Sequence, residues 1–411
     1  MRSEDPVPRL WRARWVLPIV GPPLQDAWVS VVNGRVAAVG DGRAPAAGAT
    51  VDLGDAVLLP GLVNAHTHIE LSWMAGLVSP AASMDAWIRT LMSVRRAGPA
   101  GGEAAAVGAM TTAVLGMRET GTVLAGDISN TLASVPVLQR AECDAAIFHE
   151  ILGFHPLDPP AMVREATARL NPLGAHAAVV AHAPYSTAPA LFAEIAAHHV
   201  GLAPLSVHVA ESAEELQFLH TGGGPIRTML ETLGVWSGTW TVPRCGPLEY
   251  LKRVGYLQPG TLLVHGVHLT VDELDRARDA GAVIVTCPRS NVWVGGGVPP
   301  VSRFFGAGVP VAIGTDSLAS VGSLNMFDEL AALRRLAPEV NAARLLDSAT
   351  RVGAEALGFG DEYGSLGSGR RARFASVALP AGIGSRAADV EEYLVSGVPA
   401  AAISGVDASV P

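Results

Sequence analysis

Cysteine is scarce in this chain: Cys143, Cys245 and Cys287 stand far apart, with no CxxC pair. That argues against a disulfide framework and against a cysteine-based zinc site, and for a reducing compartment. Charge is thin as well, at 16% of residues, with a formal net charge of −9 and no Lys/Arg cluster beyond short pairs. Binding nucleic acid through its phosphates needs the opposite. No apolar run reaches the roughly 18 to 20 residues that span a bilayer. The opening MRSEDPVPRLWRARWVLPIVGPP lacks the apolar core and cleavage site of a secretory signal. These absences lead us to expect a soluble, cytoplasmic protein with no nucleic-acid or membrane partner, and they leave a homodimer open.

Apolar residues, by contrast, make up 49% of the 411 positions, enough for one large domain with a minor one attached. The first 56 residues read as short strands and turns. In WVSVVNGRVAAVG, Asn33-Gly34 supplies the two positive φ values of a type I′ hairpin. GRRARFASVALP, near the other end, again reads as strand. We therefore expect residues 1–56 and 346–411 to form a small β-sandwich subdomain, and residues 57–345 a catalytic domain.

That middle stretch alternates. AVLLPGLVNAHTH, GTVLAGDIS, AAIFHEILG, AAVVAHAPYS, LSVHVAES, TLLVHGVHL, AVIVTCPRSN and PVAIGTDS are strand-like, and helical stretches such as TAPALFAEIAAHH and TVDELDRARDAG lie between them. Eight βα units predict an α/β fold, a (β/α)8 TIM barrel. Nearly every segment begins apolar and ends in His, Asp, Glu, Arg or Ser. A barrel with packed strand bodies and an active site at the strand ends has this polarity.

Residues i and i+2 of a strand share a face, so His66 and His68 aim two imidazoles at one point. His208 in LSVHVAES and Asp316 in AIGTDS also end apolar strands. Three histidines and a carboxylate make a mixed N/O set suited to one divalent ion, Zn or Fe(II). No strand-end lysine is placed to bridge a second ion. Glu211, three residues past His208, can lean over a bound water without ligating.

PGLVNAHTH, HVAES, VHGVHL and GTDS, in that order, resemble the amidohydrolase superfamily in its mononuclear deaminase branch. The further stretches AHAPYSTAPALF, HVAESAEELQFLHTGGGP, CPRSNVWVGGG and GTDSLASVGSLNMFDEL are most similar to aminodeoxyfutalosine deaminases. Those enzymes hydrolyse the 6-amino group of an adenine nucleoside carrying a carboxybenzoyl group, in menaquinone synthesis. The resemblance implies a small-molecule substrate and a metal site at His66, His68, His208 and Asp316, with catalytic roles for Glu211, His265 and Asp316. In such chemistry a bound cation lowers the pKa of its water towards about 7. Attack at C6 then needs a shuttle to protonate the adjacent ring nitrogen and help ammonia leave, the role expected of Glu211.

His265 and His268 compete for a place beside the attacking water, and the first follows its apolar run directly. His182 resembles a histidine that contacts the substrate base. Arg289 in CPRSN can pair a substrate carboxylate or a loop acid. Glu70 shares the face of His66 and His68 if the strand continues, and is a further candidate for substrate contact. Trp73 and Trp87 can wall the pocket or merely pack, and Cys287 reads as a buried thiol. Alternatives within the superfamily are deamination of S-adenosylhomocysteine, methylthioadenosine, guanine or cytosine, or hydrolysis of a ring amide or halide. A catalytically silent binding protein is also conceivable, although such a chain should have lost a ligand or the shuttle acid.

Overall fold

The computed structural model describes residues 7–236 and 238–408, and its strands fall into three sheets. One is built from both ends of the chain. Its strands are β1 (Arg9–Val16), β2 (Leu24–Val32), β3 (Arg35–Asp41), β4 (Ala49–Asp52), β5 (Ala56–Pro60) and, far downstream, β14 (Arg373–Ala378) and β15 (Ile403–Asp407). They run in the order β15–β14–β5–β1–β2–β3, with β4 also on β1. The β2–β3 hairpin turns at Asn33 and Gly34, whose φ values of +51° and +72° are both positive, as a type I′ turn requires. Central β5 extends this sheet to Pro60, and only Gly61 separates it from the next strand. Residues 346–372 contribute no strand to it; the helix Arg351–Ala356 packs instead against the parallel strands of the middle region.

The other two sheets are parallel and four-stranded. The first contains β6 (Leu62–Thr67), β7 (Thr122–Ser129), β8 (Asp144–Ile151) and β9 (Ala177–Ala181). The second contains β10 (Ser206–Val209), β11 (Leu262–His265), β12 (Val283–Thr286) and β13 (Val311–Ile313). Each of the eight segments read from the sequence supplies one of these parallel strands, and the first, AVLLPGLVNAHTH, also contains β5. Helices connect them, including Met84–Ala97, Pro189–Ala197, Val271–Asp279 and Met326–Leu336. Strand bodies are buried on both faces, which is why they read as apolar runs rather than alternating ones. In β11, Leu262 and Val264 join one apolar cluster and Leu263 another, the period-two split of a strand between inner and helix-facing cores.

Hydrogen bonds connect the two parallel sheets at both edges. Between β9 and β10, the Tyr256 hydroxyl donates to the Ser206 carbonyl and accepts from Ala181 N–H, each at 2.9 Å, while His208 N–H donates to the His182 carbonyl. Between β13 and β6, the backbone N–H groups of Thr315 and Asp316 both donate to the His66 carbonyl at 3.1 Å. The Asn64 side chain donates to Thr315 Oγ1 and accepts from Thr315 N–H. Gly314 permits this approach, since a Cβ there would lie 2.7 Å from both Cβ and O of His66. Among the described residues no helix is long and apolar enough to cross a membrane.

Candidate active site

Seven of the eight parallel strands, all but β12, send a residue from their C-terminal end or the segment just after it to one cavity of about 380 Å³. His66, at the end of β6, is buried, and its ring meets those of His68 and His208 edge-on with centroids 4.9 Å away in each case. His68 Nε2 lies 3.3 Å from His208 Nε2 and 3.4 Å from Asp316 Oδ1; His66 Nε2 is 4.0 Å from the same oxygen. The donor atoms of His66, His208 and His265 gather within 4.8 Å of one another, as do those of His66, His68 and Asp316. Four separate strand ends thus bring five ionisable side chains to one point. Glu211 joins them, with Oε1 3.4 Å from His265 Nε2.

Three of these groups, His208, His265 and Asp316, are aimed by a second contact. His208 Nδ1 bonds the His182 carbonyl at 3.0 Å, with Glu150 Oε1 at 3.5 Å. His265 Nδ1 is hydrogen bonded to the Asn291 side-chain amide at 2.9 Å. Asp316 Oδ2 accepts from Ser290 Oγ at 2.5 Å and Ser320 Oγ at 3.1 Å, which leaves Oδ1 for the histidines. His265 and Asp316 have φ values of +73° and +62°, in the left-handed region that non-glycine residues seldom occupy. By alternation His265 would turn outward with Leu263. The left-handed backbone swings its ring to 5.7 Å from that of His66. Such strain persists only where its surroundings fix it, and here it falls where the chemistry would be.

Burial sets the protonation of the cluster. Desolvation, with the neighbouring histidines, holds His66 and His265 well below the usual imidazole range. Desolvation lowers His68 and His208 to about 4. All four rings are neutral at pH 7 and present lone pairs. Burial, together with Asp316 and Glu215, pushes the Glu211 carboxyl well up. The buried Nε2 of His66 has no hydrogen-bond partner in the protein. An unsatisfied imidazole nitrogen facing further neutral rings and a carboxylate is a donor set that fits one divalent cation.

The remaining residues singled out from the sequence divide. His182 lines the cavity; its Nδ1 is held at 2.5 Å by Ser186 Oγ, and burial lowers its pKa to about 4. Trp87 lines the cavity as well. Trp73 packs beside Leu71, Met74 and Val78 instead. His268 bonds the Gly296 carbonyl at 2.7 Å and stays outside the cavity, so His265 is the histidine at the site. Cys287 is a fully buried free thiol.

Two expectations need correction. Glu70 does not share the face of His66 and His68, because β6 stops at Thr67 and a 3-10 turn, Ile69–Met74, follows. Its carboxylate is taken up by the Ser129 and Thr131 hydroxyls and the N–H groups of Asn130, Thr131 and Ala133. Arg289 does not line the cavity. It sits in the helix Pro288–Trp293, bonds the Ser323 carbonyl and hydroxyl, and pairs with the fully buried Glu329 at 3.3 Å.

Residues that sequence reasoning passes over prove structural to the site. Glu150, at the end of β8, stands between His208 and Asn130, whose amide nitrogen donates to Glu150 Oε2 at 2.9 Å. Asn291, Ser290 and Ser320 orient His265 and Asp316. The sequence signal for Glu150 is slight: one more ionisable residue closing an apolar segment.

The amidohydrolase family model matches residues 57–406, and the chain belongs to that family. It is an enzyme, a hydrolytic deaminase. It is 31% identical over 321 residues to the aminodeoxyfutalosine deaminase of Deinococcus radiodurans, covering 74% of each chain. It is 31% identical over 359 residues to a 5-methylthioadenosine/S-adenosylhomocysteine deaminase of Nitratidesulfovibrio vulgaris, covering 81% of this chain and 75% of the relative. An adenosine deaminase structure from Xanthomonas campestris with bound zinc superimposes with a TM-score of 0.79 at 28% identity, over 98% of this chain and 91% of that one.

Proposed function

We propose that this enzyme removes the 6-amino group of an adenine nucleoside, with aminodeoxyfutalosine as its first substrate, at a site holding one zinc or iron(II) ion. The observation that carries the proposal is the convergence of His66, His68, His208 and Asp316 with Glu211 against a cavity of about 380 Å³. In this reading the two parallel sheets, bonded at both edges, close into one eight-stranded barrel. The parallel-strand region, from β6 through the helix Arg351–Ala356, supplies the catalytic domain, and the sheet built from both ends of the chain supplies the smaller one.

The four proposed ligands are neutral imidazoles and a carboxylate, and a divalent ion among them supplies a water-derived nucleophile at neutral pH. The protein does the rest. His182, with Nδ1 fixed by Ser186, turns its other nitrogen towards the substrate base. Glu211, kept protonated by burial, donates to N1 as negative charge builds on the ring. It then carries the proton released by water to the departing ammonia, so that water and amine become carbonyl oxygen and NH₃. His265, oriented by Asn291, holds the attacking water beside Asp316. Proton transfer by a positioned acid of this kind is worth about 10² to 10⁴ in rate.

The second reading keeps this chemistry and changes the nucleoside to methylthioadenosine or S-adenosylhomocysteine, as the equally similar relative suggests. A catalytically silent protein would have no reason to hold His265 and Asp316 in left-handed backbone. The test is ammonia release by metal-loaded enzyme from aminodeoxyfutalosine, methylthioadenosine, S-adenosylhomocysteine, guanine and cytosine. Fastest turnover of the first is expected. The proposal fails if that compound is untouched while another amine is hydrolysed quickly.

A further inference from the structure

The helix Met84–Ala97 turns one face to the cavity. Met84, Ile88, Leu91 and Arg95 follow at the i, i+4, i+7, i+11 spacing of a single helical stripe, and all four line the cavity wall. The stripe is apolar until its last turn, where it ends in a guanidinium. Among the described residues, Arg95 is the one arginine or lysine lining this cavity. It is exposed and makes no ion pair there, unlike Arg289, which is committed to Glu329. One of its N–H groups is steered by Asn130, whose Oδ1 accepts from Arg95 at 3.0 Å because the Asn130 amide nitrogen is held by Glu150. The rest of the guanidinium fork is available to a ligand.

We propose that Arg95 is a specificity-determining residue that pairs with a carboxylate on the 5′ substituent of the nucleoside. This rests on the deaminase reading above. With the base at the histidine cluster, whatever hangs from C5′ leaves the polar floor and runs along the apolar stripe to Arg95. Leu152, Leu233 and Val235 complete this outer wall and are 45%, 43% and 42% exposed. An apolar or aromatic spacer ending in an anion matches both features. A neutral methylthio group uses the stripe and ignores the cation. An amino-acid tail brings an ammonium as well, yet the acids lining the cavity (Glu150, Glu211 and Asp316) are all buried at its floor.

The experiment compares kcat/KM for aminodeoxyfutalosine and its carboxylate methyl ester in the wild type, Arg95→Gln and Arg95→Lys. A hydrogen-bonded charge pair of this kind predicts that Arg95→Gln lowers the acid-to-ester ratio about 10- to 100-fold. Arg95→Lys should restore part of it, since charge survives and the planar fork does not. An unchanged ratio in Arg95→Gln overturns the assignment. If the wild type ignores aminodeoxyfutalosine but deaminates methylthioadenosine, the substrate reading falls by itself. Arg95 is then judged on S-adenosylhomocysteine against methylthioadenosine, where the ratio must drop in Arg95→Gln and an unchanged ratio again overturns it. No ammonia from any of these nucleosides with zinc- or iron-loaded wild type overturns both.

Discussion

The floor and the mouth of the cavity are held by different physics. At the floor, three of the side chains aimed at the common point carry a second partner: His208 the His182 carbonyl, His265 the Asn291 amide, Asp316 two serine hydroxyls. These contacts are short, directional and buried, and the backbone is bent into left-handed geometry to satisfy them. At the mouth the wall is made of methionine, leucine, isoleucine and valine, several of them half-exposed, packed without directional bonds. Hydrolysis needs its groups held to fractions of an ångström, whereas a substrate tail needs only apolar surface and one well-placed charge. The floor should therefore be intolerant of change and the mouth permissive.

The largest effect should come from the floor. Glu211→Gln is nearly isosteric and removes the proton shuttle, so kcat should drop about 10³-fold. Its metal content, measured by elemental analysis, should match the wild type; a mutant retaining a tenth of the activity would remove Glu211 from the chemistry. Asn291→Ala touches no substrate but frees the His265 ring, and outer partners of this kind cost about 10- to 100-fold in activity or metal affinity. Equal activity in wild type and Asn291→Ala would show that His265 needs no such hold.

Protonation gives a third way to sharpen the contrast. Histidines whose pKa lies near 4 remain neutral, and able to donate lone pairs, until the pH falls towards that value. Zinc content after dialysis should be unchanged at pH 6, where an ordinary imidazole is already largely protonated, and should fall between pH 5 and pH 4. Loss that is half complete by pH 6.5 would show that the rings are not buried as described.

Arg289→Ala tests stability rather than catalysis. It leaves the fully buried Glu329, whose carboxyl burial raises to about 8 and so keeps largely protonated at pH 7, without its hydrogen-bond partner, at a cost of about 1 to 3 kcal/mol. Melting temperature should fall by several degrees while KM for a neutral nucleoside stays near the wild-type value. A selective rise in KM for a carboxylated substrate would return Arg289 to the binding site. The smallest effect belongs to the mouth: Leu152→Ser should change KM only a few-fold, about 1 kcal/mol or less.

The same contrast explains what the sequence discloses. Strands buried on both faces stand out as apolar runs, and the ionisable residues closing them mark which end carries the site; that suffices to locate His66, His68, His208, His265, Glu211 and Asp316. The orienting partners are harder to find. Glu150 and Asn291 act on His208 and His265, which lie 58 and 26 positions away in the chain, and no spacing rule joins them. Nearness to a strand end is a poor guide for Arg289, because β12 stops at Thr286 and the arginine turns into a helix. Arg95 hides in plain view at the end of an amphipathic stripe, where helical period rather than strand polarity is the signal. Glu70 misleads for a related reason, since nothing local in HTHIELS announces that the strand ends at Thr67.

Metal dependence of ammonia release is the most direct test of the central assignment. Wild-type enzyme stripped with a chelator should release no ammonia from aminodeoxyfutalosine, and one equivalent of zinc or iron(II) per chain should restore turnover in the wild type but not in Asp316→Ala. Undiminished release from fully stripped protein, or full restoration of Asp316→Ala, would contradict a single metal centre built by these strand ends.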